Sequence, residues 1–81
     1  SWNIFPNPVA TGELNLPTLG WQGNATVEVF DLTGRRWVND QRQVGGVERV
    51  TANVSDLPAG YYVVRMSQGG KSKAARFMVQ R

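Results

Sequence analysis

Eighty-one residues with 41% hydrophobic content and a net charge of +3 make one small domain with a thin core and little room for a deep cleft. Cysteine and histidine are both absent, which removes disulfide scaffolds, thiolate metal sites, cysteine nucleophiles and the commonest general base. No run approaches the ~20 apolar residues of a membrane-spanning helix, and Ser1-Trp2-Asn3 does not begin a secretory signal, so any export signal is expected upstream of residue 1.

In chain order, Ile4-Phe5-Pro6-Asn7-Pro8 reads as a stiff extended stub, because two prolines fix φ and restrict the residues before them. Glu13-Leu14-Asn15-Leu16 alternates, with both leucines inward. Residues 25–31 alternate again and are rich in β-formers. They pair with a more polar strand, Arg36 to Gln43, across a turn containing Gly34. From Glu48 to Val54, the residues Val50, Ala52 and Val54 share a face. Tyr61 to Ser67 and Lys73 to Val79 form the strongest pair.

Gly69-Gly70 between these last two strands reads as a two-residue turn, because glycine takes positive φ freely. Such a turn sets residue 68 against 71, 64 against 75 and 62 against 77. Tyr62, Val64 and Met66 then share the core face with Ala75, Phe77 and Val79. No window holds a helical period without glycine or proline. The fold class is all-β, an Ig-like sandwich of about seven antiparallel strands, with residues 1–8 as the stub and 9–81 as the sandwich.

Charge is uneven. Residues 1–56 carry four arginines and six acids, whereas residues 57–81 carry five cations and no acid. Those cations are Arg65, Lys71, Lys73, Arg76 and Arg81. A basic terminal hairpin suits an anionic partner, and lysines also guard exposed strand edges.

Chemistry has few candidates. Without His or Cys the usual nucleophilic triads have no base. Asp31, Asp40 and Asp56 lack the spacing of a calcium loop. Asp31 and Asp56 are expected to cap turns through their own backbones. No catalytic residue, cofactor or metal ligand is assigned. Aromatic and basic residues are not interleaved as on an RNA-binding sheet, so no nucleic acid is expected. Asn24-Ala25-Thr26 and Asn53-Val54-Ser55 fit a glycosylation pattern that is common by chance.

Three turns recur in a meaningful order: Phe5-Pro6-Asn7-Pro8, then Phe30-Asp31-Leu32-Thr33-Gly34-Arg35, then Leu57-Pro58-Ala59-Gly60-Tyr61-Tyr62. With Gly12, Leu14-Asn15-Leu16 and the basic last strand, they resemble the type A C-terminal sorting domain of the type IX secretion system of Bacteroidota. The resemblance covers residues 4–81. Its motif positions are Pro6, Asn7, Pro8, Asp31, Leu32, Gly34, Arg35, Leu57, Gly60 and Tyr62.

The resemblance implies an address label at the end of a cargo protein. The cargo reaches the periplasm by a separate signal, and the folded label directs passage across the outer membrane to the surface or medium. The implied partners are an outer-membrane shuttle, a sortase-like peptidase and the parent cargo domain. In many members the peptidase removes the label, here just upstream of residue 1 or near Ser1 to Asn3, and joins the cargo to anionic lipopolysaccharide. A label is expected to end its reading frame near Arg81.

Recognition is expected at Gly69, Gly70, Lys71, Lys73, Arg76 and Arg81, where a free strand edge and basic side chains coincide. An exposed edge also allows a strand-edge homodimer. The competing reading is a carbohydrate-binding or adhesive module stacking sugars on Trp2, Trp21 and Trp37. It requires at least two exposed, coplanar indoles.

Overall fold

The computed structural model describes residues 2–81 and contains only strands as regular elements. Ser1, within the predicted cleavage window, lies outside the described residues. The strands are β1 (Glu13–Pro17), β2 (Asn24–Asp31), β3 (Arg36–Gln43), β4 (Arg49–Asn53), β5 (Gly60–Gln68) and β6 (Lys71–Val79). One sheet has the order β3-β2-β5-β6, and the other is the pair β1-β4. All these pairings are antiparallel. The chain changes sheet three times, between β1 and β2, β3 and β4, and β4 and β5. Two antiparallel sheets closing on one core make an Ig-like sandwich.

Alternation builds the core. Leu14, Leu16, Val50 and Ala52 face inward from the small sheet, and Val27, Val29, Val64, Met66 and Phe77 from the large one. Each fully buried side chain of this size contributes about 1.5–3 kcal/mol. The register of β5 with β6 follows the Gly-Gly turn, with Gln68 opposite Lys71, Val64 opposite Ala75 and Tyr62 opposite Phe77.

There are six regular strands rather than seven, and the entry segment is tied to both sheets by isolated bridges. Phe5 pairs antiparallel with Asn15 of β1, whereas Val9 pairs parallel with Val79 of β6. The Val9 N–H donates to the Met78 carbonyl, and the Gln80 N–H donates to the Val9 carbonyl, each at 2.8 Å. Pro6 and Pro8 lack donors, so the crossing between sheets has no regular ladder. The Phe5-Pro6 and Asn7-Pro8 peptides are both cis. Val9 ends fully buried. The polarity of Arg36–Gln43 also has its reason here: β3 is an edge strand, exposed over most of its length.

Candidate recognition surface

The basic hairpin does not present a single patch. Gly69 turns the chain with φ +59°, and Lys71 follows at once. The Lys71 ammonium lies 4.4 Å from the centre of the Trp21 ring and donates to the Gly20 carbonyl at 2.9 Å. It therefore caps a buried indole. Lys73 sits opposite Met66, on the inward-facing register, and borders a shallow recess with Trp2, Pro17 and Leu19. Arg76 sits opposite Val63 on the outer face, beside Asn7, Tyr61 and Met78.

Arg81 belongs to the opposite end of the molecule. Its Nη2 donates to the carbonyls of Val54, Ser55 and Leu57 at 2.8, 3.0 and 2.9 Å, and Nε donates to Leu57 at 3.2 Å. This guanidinium clamps the loop between β4 and β5. Of the four predicted cations, Lys73 and Arg76 keep free head groups among the described residues, and Lys71 and Arg81 are held by the fold.

The tryptophans are not a sugar platform. Trp21 is 3% exposed. Trp2 and Trp37 are half-buried against the core. The Trp2 indole N–H donates to the Pro17 carbonyl at 3.0 Å. The Trp37 indole N–H donates to Asp31 Oδ2 at 3.0 Å, and the Arg35 guanidinium covers its face at 4.1 Å. No exposed coplanar pair exists among them.

The motif turns converge instead. The end of β2, the start of β5 and the end of β6 lie together, because Asp31 faces Tyr62 and Gly60 faces Val79. Asp31 organises the β2–β3 turn. Its Oδ1 accepts the Thr33 N–H at 2.9 Å, the Thr33 hydroxyl at 2.6 Å and the Arg35 N–H at 3.1 Å. These bonds, the Thr33 hydroxyl first and the Trp37 indole next, lower the Asp31 pKa to about 2. Gly34 completes the turn at φ +92°, where a side chain would be strained. Leu32, between them, is 58% exposed.

From Trp37 an aromatic chain runs inward. Tyr62 meets Trp37 edge-on at 6.5 Å and stacks on Phe77 at 5.7 Å. The Tyr62 hydroxyl donates to the Pro58 carbonyl at 2.6 Å, a tyrosine corner of the kind immunoglobulin sandwiches use. Burial raises the Tyr62 pKa, and the Asp31 charge adds to the rise. Leu57 is buried beneath the same loop. Asp56 does not cap this loop as expected. Asn53 does, its Oδ1 accepting the Ser55 N–H at 3.0 Å and hydroxyl at 2.6 Å.

Asn7 joins this end by acting as a piece of strand. Its Oδ1 accepts the Met78 N–H at 3.0 Å, and its Nδ2 donates to the Arg76 carbonyl at 3.5 Å. The amide thus stands in for a backbone peptide along β6. Sequence reasoning missed this role, the Arg81 clamp and Glu28. Glu28 is 7% exposed and bridges Arg65 at 2.8 Å and Arg36 at 3.1 Å across three strands. The Arg65 hydrogen bond is the main cause holding its pKa down, against burial. An acid between Val27 and Val29 was the available signal, but its partners emerge only once β2 is paired with β5.

Gly69-Gly70 and the motif turns are therefore opposite poles. The nine residues of β5 or β6 separate them by about 26 Å. No curated protein matches the chain. The family comparison does match, over residues 3–80, with a group described as the secretion system C-terminal sorting domain. That span takes in all three turns, the aromatic chain behind them and the whole of β6. By that match, and with the motif side chains interlocked at one pole of a six-stranded sandwich, this chain belongs to the secretion system C-terminal sorting domain family.

Proposed function

We infer that this domain is the folded address label of a type IX secretion cargo and is read by the outer-membrane machinery that moves the cargo to the cell surface or medium. The observation that carries the reading is the family match across residues 3–80. The site geometry supports it, because the motif residues lock turns to strands. Asp31, Tyr62 and Leu57 hold the pole together, while Leu32, Tyr61 and the free head group of Arg76 remain presented.

Within this reading, Lys73, Arg76 and the Gly69-Gly70 turn contact the machinery, and Lys71 and Arg81 contribute through the fold. Transit runs through the periplasm. A sortase-like peptidase then cuts ahead of the sandwich and exchanges the label for an anionic lipopolysaccharide anchor.

The test is export. Residues 1–81 are fused behind a signal peptide and a reporter in a type IX-competent host. The reporter is expected at the surface or in the medium, and a reporter that stays periplasmic refutes the label. Mass spectrometry of the exported reporter then reads the cleavage point and any attached anchor.

A further inference from the structure

The outer edge of β6 is half occupied. Odd-numbered residues of β6 bond to β5, as the two-residue turn dictates, so even-numbered residues turn their N–H and C=O groups outward. Residues 7–9 fill the C-terminal part of that edge. Val9 takes the Met78 carbonyl, and the Asn7 amide takes the Met78 N–H and the Arg76 carbonyl. At Pro6 the chain leaves β6 to join β1, where Phe5 pairs with Asn15. Upstream of that crossing, among the described residues, Ser72 and Ala74 have unbonded N–H and C=O groups, and Arg76 has an unbonded N–H. These residues are exposed or half-exposed, and the edge therefore ends in an open row of donors and acceptors aligned with a strand already in place.

The charge around this row is of one sign. Lys71, Lys73 and Arg76 lie along it, and no acid occurs between residues 57 and 81. The nearest buried acid, Glu28, is already bound by Arg36 and Arg65. Two copies of β6 placed edge to edge would bring three cations against three, so the row repels a second copy of itself. The other large-sheet edge, β3, carries Asp40 between Arg36 and Arg42 and has no such bias.

We propose that the open Ser72–Arg76 edge of β6 is a strand-addition site for an extended acidic segment of another protein. The added strand would continue the ladder that residues 7–9 begin. Backbone groups supply the pairing, and Lys73 and Arg76 select for acid on either face of the incoming strand. The inference rests on β6 being the read element of the label. Peptide binding tests the edge and reporter export tests the label, so either can fail while the other stands.

The probe is a blocked seven-residue peptide, Thr-Asp-Val-Glu-Val-Asp-Thr, added to the 15N-labelled domain. Amide shifts are expected at Ser72, Ala74 and Arg76. Replacing the peptide acids with lysine should abolish binding, and Lys73→Glu with Arg76→Glu should weaken it about tenfold. Ala74→Pro removes an outward N–H on an edge strand, where proline is tolerated, and should also abolish binding.

N-methylation of the peptide on the edge facing β6 gives the same test without altering the protein, whereas methylation on its far edge should leave binding unchanged. The proposal is overturned if shifts map to the outer sheet face or the loops, if both methylated peptides bind alike, or if the lysine peptide binds equally well. It is also overturned if the free domain sediments as a dimer joined through β6.

Discussion

The Arg81 guanidinium is planar and offers five donors in a fixed fork, which lets one side chain hold the carbonyls of Val54, Ser55 and Leu57 together. Arg81→Ala leaves those acceptors to water or to nothing, and is expected to lower the unfolding free energy by about 1–3 kcal/mol in urea denaturation. Arg81→Lys should recover only a minor part, because an ammonium lacks the fork. A charge count treats Arg81 and Arg76 alike, and nothing local in the sequence separates a clamp from a free cation. The partners of Arg81 lie 24 to 27 residues away. The Asn53 cap is a different case. Asn53-Val54-Ser55 has the spacing that lets an Asx side chain bond two residues on, and the same triplet reads equally well as a glycosylation pattern. The local signal was present but ambiguous, and the capping role was expected of Asp56 instead.

At the scale of strands, the hairpins were legible. A two-residue glycine turn sets the β5–β6 register, and alternation then decides the buried face. The bridges of the entry segment were not legible, because Phe5 joins β1 and Val9 joins β6, and no periodicity spans two sheets. The cross-strand triad of Arg36, Glu28 and Arg65 was also hidden, since it needs β2 paired with both neighbours. Glu28→Gln keeps the shape and removes the charge. With both arginines about half exposed, the expected loss is about 1–2 kcal/mol. Repeating the urea titration in 1 M NaCl should shrink that difference, and a salt-independent loss would assign it to packing.

The whole domain carries an acid sensitivity set by its two lowered carboxyls. Asp31 has its pKa lowered from 3.8 to about 2 and Glu28 has its own lowered from 4.5, so the unfolded chain binds these protons first. Their stabilisation is complete above the unfolded values and is lost as pH falls through the folded ones. The melting temperature is therefore expected to hold steady down to about pH 5 and to decline towards pH 2. Asp31→Asn should melt lower at pH 7 and approach the parent near pH 2, and parallel curves would contradict the assignment. The fold class was readable because it needs only period, turn chemistry and the absence of helix. The gathering of the three motif turns at one pole was not, because it depends on how the sheets close.

That closure also gives the domain a direction. Trp2 is pinned to Pro17, on the side of the Gly69-Gly70 turn, and the chain crosses between the sheets within the first motif turn. The turns built by Asp31 and Tyr62 stand at the other end of β5 and β6, about 26 Å from the glycine turn, so the entry of the chain and its last two motif turns occupy different ends of one long axis.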